Sequence, residues 1–331
     1  MAAITGATFG EKFADFNVIQ ATYKQVHGHD IRADVLVPKS LSARGPRPVI
    51  ARFHGGGLSC ADSLYADWFP RWLLELSVTY NAIIVSANYR LLPEATGLEI
   101  LEDVDDFWSW LHSDKSKDLL AAQDSPIELD LNRVLAAGDS AGGLLSIYLT
   151  LSYPDQLRAG TATYPQLSWD DPPLYAPQRS SLSPYVPESV IEEYIANIKP
   201  GDVVSSDPEL RRATLGSALS QHRRSRGFYL RDSETSPRPN RLSQLARLDL
   251  PDTRLPRGGL VILHGIEDDD VLSKVSERFV EKAREVLRGR QGIDKLVLSL
   301  QPGGHGFDVD VPLTEGWLSS ALKSALDAWL E

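Results

Sequence analysis

Gly138-Asp139-Ser140-Ala141-Gly142-Gly143 holds a serine with glycine two positions before it and two after it. Glycines so placed permit a turn tight enough to lift a serine hydroxyl clear of its surroundings. A serine hydroxyl is a poor nucleophile until a base takes its proton, so the motif calls for a histidine and for a carboxylate to orient it. Of the seven histidines, His305 in Gly303-Gly304-His305-Gly306-Phe307 is the best base, because it sits in a flexible loop directly after an apolar run. His27, His29, His112 and His222 read as surface residues, while His54 and His264 read as ties for their own loops. The acid comes from Gly265-Ile266-Glu267-Asp268-Asp269-Asp270-Val271, where four acids in a row leave Asp268, Asp269 and Asp270 all open.

A charge developing on an attacked carbonyl oxygen needs backbone N–H donors. His54-Gly55-Gly56-Gly57 supplies a backbone that a substrate can approach closely, and the amides of Gly56 and Gly57 can join that of Ala141 in holding an oxyanion. Together these groups describe acyl transfer through a covalent serine intermediate. No spacing of His, Cys or carboxylates suggests a metal site.

The elements that must position these groups are visible as periodicities. Val49 to Phe53 and Ala82 to Ala87 are nearly continuous apolar runs, as expected of parallel strands covered on both faces. Further strands are expected over Arg133 to Ala137, Thr161 to Leu167, Gly259 to Leu263 and Lys295 to Leu300. Residues 21 to 37 read as a hairpin turning at Gly28, with Ile31, Ala33, Val35 and Val37 inward and Arg32, Asp34 and Leu36 on a solvated face. Helical spacing marks Trp68 to Val78, Ile100 to Leu111, 141 to 152, Glu188 to Ile198 and 273 to 288. A last helix, capped by Thr314, carries the stripe Leu318, Leu322, Ala325 and Trp329. Strand alternating with helix predicts an α/β fold with about eight mostly parallel strands. The expected strand before Ser140 and helix after it give the serine the strand-turn-helix setting it needs. The stretch 170 to 250 differs: it holds nine of the 21 prolines and no convincing strand, and reads as a helical insertion over the sheet. The catalytic domain is then 1–169 with 251–331.

The chain has 331 residues, 42% of them hydrophobic, and 34 Lys and Arg against 45 Asp and Glu leave a net charge of −11, which argues against nucleic-acid binding. No apolar run approaches a membrane span. Cys60 is the only cysteine, so an internal disulfide is excluded, and with no export signal at the N-terminus a cytoplasmic location is expected. Cys60 itself reads as a small buried residue. Within 209–247, nine arginines face three acids for a local net of +6. Such a segment is either a solvated face or one that attracts an anionic substrate or an acidic carrier protein.

The motifs His54-Gly55-Gly56-Gly57, Tyr89-Arg90-Leu91-Leu92-Pro93-Glu94, Gly138 to Gly143, Gly265-x-x-Asp268 and His305-Gly306-Phe307 resemble those of the hormone-sensitive-lipase-like esterase group of α/β-hydrolases. The resemblance extends over residues 54 to 307. It favours Asp268 as the acid, giving Ser140, Asp268 and His305 in the chain order of that superfamily. It implies a serine carboxylesterase without cofactor, acting on small or medium acyl esters in a pocket beneath a helical cap. Trp169, Tyr185 and Tyr194 are candidates to line that pocket. The sequence departs from the group's Asp-Pro-Leu pattern, with Asp268-Asp269-Asp270-Val271 at that place. A lactonase, thioesterase or cyclase would use the same triad, and a non-catalytic small-molecule receptor would share the fold.

Overall fold

The structure, a computed structural model, describes residues 9–41, 45–167, 169, 184–235 and 239–331. Eight strands, β1 (Phe16–Val26), β2 (His29–Pro38), β3 (Arg47–Phe53), β4 (Ile83–Ala87), β5 (Leu129–Gly138), β6 (Ala159–Thr163), β7 (Leu260–Gly265) and β8 (Val297–Gln301), form one sheet in the order β1-β2-β4-β3-β5-β6-β7-β8. β1, β2 and β4 pair antiparallel, and every pairing from β4 through β3 to β8 is parallel. The helices are α1 (Phe9–Lys12), α2 (Arg71–Tyr80), α3 (Gly97–Leu111), α4 (Asp114–Ala121), α5 (Ala141–Ser152), α6 (Ser189–Ile195), α7 (Ala213–Gln221), α8 (Ser225–Tyr229), α9 (Gln244–Arg247), α10 (Lys274–Val286) and α11 (Gly316–Leu330).

The apolar runs are explained by a core on each face of the sheet. Val49, Ala51 and Phe53 of β3 pack with Ile100, Val104 and Phe107 of α3, Leu144 and Leu145 of α5, and Phe279 of α10. Ile50, pointing the other way, packs with Trp72, Leu73 and Leu76 of α2 and with Leu318, Leu322, Ala325 and Trp329 of α11. Successive side chains on a strand leave opposite faces, so a strand covered twice is apolar throughout.

Three local expectations are corrected. The hairpin turns at His27 and Gly28, both at positive φ, but Asp34 and Leu36 are fully buried and Arg32 stays partly exposed. β1 takes the edge of the sheet, which makes β2 an interior strand, and Asp34 is satisfied there by Arg32 and Ser63. Thr314 is not the cap of α11, which starts at Gly316 after Glu315 with no side-chain capping bond; Thr314 belongs to the turn closed by the Glu315 N–H on the Pro312 carbonyl. The strand foreseen to reach Leu167 stops at Thr163, because Tyr164 adopts φ 37°, where a strand cannot continue.

Residues 170–183 of the foreseen insertion lie outside the described residues. Those described between 184 and 250 form short helices and no strand, with a small core of Ile191, Leu215, Ala218 and Leu219. Some arginines of this stretch bond groups outside it, while Arg211, Arg223, Arg226 and Arg231 remain largely exposed. Arg212 meets Glu94, Arg241 meets Asp105, Arg231 donates to the carbonyls of Pro93 and Glu94, and Arg247 to that of Tyr148. Among the described residues no helix is long and apolar enough to cross a membrane.

Candidate active site

Ser140 stands between β5 and α5 at φ 53° and ψ −117°, a conformation a non-glycine residue holds only when its surroundings enforce it. They do so here by close approach. A Cβ on Gly138 would lie 2.1 Å from the Gly142 carbonyl oxygen, and one on Gly142 would lie 2.1 Å from that of Phe53. Only glycine lets the elbow fold on itself and against β3. The turn is fixed further by the Ser140 N–H on the Thr163 carbonyl (2.9 Å) and the Gln166 N–H on the Ser140 carbonyl (3.0 Å).

His305 arrives on the loop after β8. Its Nε2 lies 3.0 Å from Ser140 Oγ and its Nδ1 lies 2.8 Å from Asp268 Oδ2. With Nδ1–H donated to the carboxylate, Nε2 is left as a hydrogen-bond acceptor for the serine hydroxyl. Tyr164, whose turned backbone ends β6, places its ring 4.4 Å from the imidazole. Burial works against a charged His305, yet the Asp268 carboxylate on Nδ1, with Asp270 and Asp139 nearby, raises its pKa above the ordinary 6.5.

Of the consecutive acids, Asp268 is the one at Nδ1. Its carboxyl is buried, which disfavours charge, but the His264 and His305 rings and the Val271 N–H hold it well below the usual carboxylate range. Oδ1 accepts the N–H groups of Asp270 (3.0 Å) and Val271 (2.9 Å). His264 steadies the same loop, bonding Ser276 Oγ through Nδ1 and the Val271 carbonyl through Nε2, both at 2.8 Å. Asp270 lies on the other side of the ring from Nδ1, with Oδ2 3.8 Å from His305 Nε2.

Gly56 and Gly57 follow β3 with φ 99° and 61°, in a loop closed by the N–H groups of Ser59 and Cys60 on the Gly56 carbonyl. Among the described residues no acceptor takes the N–H of Gly56, Gly57 or Ala141. The loop is bound to the elbow by a buried assembly that residue spacing alone did not reveal. Asp139 Oδ2 accepts the Gly55 N–H (3.0 Å), and Asp139 Oδ1 accepts from Arg52 (2.8 Å), whose guanidinium lies 3.9 Å over the Phe69 ring. Burial raises the Asp139 pKa even beside Arg52. Tyr89 stacks on His54 at 4.4 Å and donates to the His54 carbonyl (2.6 Å). Burial lowers the His54 pKa to about 4, so this ring is a neutral spacer. The legible signals were a charge inside the apolar run Val49 to Phe53, Arg52, and an acid inside the serine turn, Asp139.

The three aromatic candidates are dispersed. Trp169 is buried against Tyr229, with ring centroids 4.4 Å apart. The Tyr194 hydroxyl is held between Glu94 and Arg212, both at 2.6 Å. Tyr185 is 57% exposed. Cys60 is buried, and desolvation pushes its thiol up to about 12, which leaves it no nucleophile. The carboxylates of Glu102, Asp103 and Asp106 converge, but Lys24 bonds all three and Arg90 adds bonds to Glu102 and Asp103.

A family model described as alpha/beta hydrolase fold matches residues 50–221. Probable carboxylesterase M8 of Phoma sp. (strain ATCC 20986 / MF5453) is 30% identical over 328 residues, covering 96% of this chain and 98% of that protein. Non-reducing polyketide synthase ausA of Aspergillus calidoustus is 30% identical over 56% of this chain, in a segment that makes up 7% of the synthase. Among solved structures, an esterase of Pyrobaculum calidifontis is similar with a TM-score of 0.57 at 20% identity, over 96% of this chain and 88% of that one.

Proposed function

The chain belongs to the alpha/beta hydrolase fold family, in its hormone-sensitive-lipase-like group, and from that premise we propose that it is a carboxylic ester hydrolase working through an acyl-enzyme on Ser140. The observation that carries the reading is the chain of contacts from Ser140 Oγ through His305 to Asp268, at 3.0 and 2.8 Å. His305 Nε2 takes the hydroxyl proton as Oγ attacks the ester carbonyl carbon. Negative charge then gathers on the carbonyl oxygen, and the unpartnered amides of Gly56, Gly57 and Ala141 receive it without reorganising. Collapse breaks the ester C–O bond, and the leaving oxygen collects its proton from Nε2. A water molecule, deprotonated by the same nitrogen, repeats the attack on the acyl-enzyme and frees the acid. Asp268 stays ionised throughout, holding the ring and stabilising the imidazolium. The helices of 184–250 are proposed as a cap over the acyl pocket.

The test is substitution with covalent mapping. Ser140→Ala is expected to lose about 10⁴- to 10⁶-fold in turnover of a short acyl ester. An organophosphonate is expected to label Ser140 in the unsubstituted protein. Unchanged turnover in Ser140→Ala, or a label on another residue, would dismiss the reading.

A thioester substrate is the second reading, favoured by the similarity to a segment of a polyketide synthase. The same attack on a thioester, with water, a hydroxyl or a carbon nucleophile of the acyl chain resolving the intermediate, gives hydrolysis, lactone formation or cyclisation. An acidic carrier protein belongs to this reading, since residues 209–247 carry a local net charge of +6. Product analysis with matched esters and thioesters separates the outcomes, because cyclisation yields no free acid.

A further inference from the structure

The mechanism above uses one carboxylate of the acid turn and leaves a second standing at the reacting atoms. Asp270 Oδ2 lies 3.8 Å from His305 Nε2, the nitrogen that is 3.0 Å from Ser140 Oγ. At that distance it takes no hydrogen bond from the ring, so it neither orients His305 nor competes for the serine proton. Its place is fixed all the same. The Asp270 N–H is bound to Asp268 Oδ1, so the turn that sets the orienting acid also aims the second one. Among the described residues no donor hydrogen-bonds the Asp270 carboxylate, and its side chain keeps one third of its surface open (33%). Burial raises its pKa and the neighbouring His305 only partly offsets this, which describes a carboxylate short of donors.

The reaction brings the substrate past this group. To be protonated as it departs, the leaving oxygen must come within about 3 Å of Nε2. The first carbons of the alcohol portion therefore run beside a carboxylate whose Oδ2 lies 3.8 Å from the same nitrogen. A hydroxyl or ammonium there finds an unused acceptor, and an anion meets like charge at short range in a partly desolvated site.

We propose that Asp270 is a specificity-determining residue that favours esters whose alcohol portion carries a hydrogen-bond donor within two or three bonds of the ester oxygen and rejects those carrying an anion there. The proposal rests on His305 acting as the proton donor to the leaving group. It concerns the alcohol side of the bond and is independent of acyl-chain length.

Three butyrate esters of matched size test it: ethyl, 2-hydroxyethyl and carboxymethyl. kcat/KM is measured by titrating released acid for the unsubstituted protein, Asp270→Asn and Asp270→Leu. The ethyl ester is the reference within each protein, which cancels changes common to all substrates. In Asp270→Leu the 2-hydroxyethyl to ethyl ratio is expected to fall about fivefold, and the carboxymethyl to ethyl ratio to rise about tenfold or more. Asp270→Asn keeps an acceptor and loses the charge, so it is expected to retain most of the hydroxyl preference while admitting the anion. A merely structural role would lower all three esters together. Ratios within twofold of the unsubstituted protein in both variants would overturn the proposal while leaving the esterase reading intact. A protein inert toward all three esters and unlabelled at Ser140 would overturn the esterase reading, and this proposal with it.

Discussion

His305 works among three carboxylates, and their sum decides the pH at which it is a base. Asp268 bonds its Nδ1, Asp270 lies beyond its Nε2, Asp139 acts from beneath the elbow, and the remaining side of the ring is taken by Tyr164. Burial opposes the imidazolium, but the carboxylates prevail and the pKa rises above 6.5. Only neutral imidazole can accept the serine proton, and a raised pKa keeps the ring protonated to higher pH. The acidic limb of the kcat/KM profile is therefore expected to have its midpoint above 6.5, as read with a neutral ester across pH 5 to 9. A midpoint below 6 would show that desolvation wins. The proposed serine and histidine can be picked out from residue types alone, because few neighbours compete with either. The acid was not: carboxylates adjacent in sequence are chemically alike, and which one meets Nδ1 depends on how the turn after β7 faces the loop after β8.

At the level of elements, the elbow and the loop after β3 act as one piece. β3 and β5 are parallel neighbours in register from Val49 opposite Val134 to Phe53 opposite Gly138, so both strands end level and their loops emerge side by side. The buried Arg52–Asp139 pair ties them at that edge, with each side chain no more than 5% exposed. Asp139→Ala would strand the Arg52 charge and free the Gly55 N–H. It is expected to cost about 3–5 kcal/mol in urea denaturation and to lower kcat as the amides of Gly56 and Gly57 lose their aim. A variant with unchanged urea midpoint and unchanged kcat would refute this coupling. The strands and main helices were readable from periodicity to within a few residues. The exceptions have physical causes: the polar Arg32 and Asp34 predict a solvated face for β2, whereas Asp34 is buried and neutralised by the partly exposed Arg32.

For the molecule as a whole, the net charge of −11 conceals a basic stretch of +6 at 209–247, and the structure shows where much of that charge is spent. Arg212, with its side chain 9% exposed, bonds the Ser59 and Leu92 carbonyls, the Glu94 carboxylate and the Tyr194 hydroxyl. It joins the stretch after 184 to the segment that follows Gly56 and Gly57. Arg212→Ala is expected to cost about 3–5 kcal/mol in stability, because Glu94 is left buried and unpaired, and to reduce kcat about tenfold, with Arg212→Lys intermediate. Denaturation midpoints and steady-state rates for the three proteins check this, and equal rates in all three would separate the clamp from catalysis. The sequence by itself determined the order of strands and helices and marked out the serine turn, the His305 loop and the glycine loop proposed to act together, since periodicity and glycine spacing are local properties that chemistry constrains tightly. Which acid meets the base, where the second carboxylate points and which way the arginines turn were decided by the tertiary structure. Those outcomes depend on distances between segments far apart in the chain, and side-chain type carries no record of such distances.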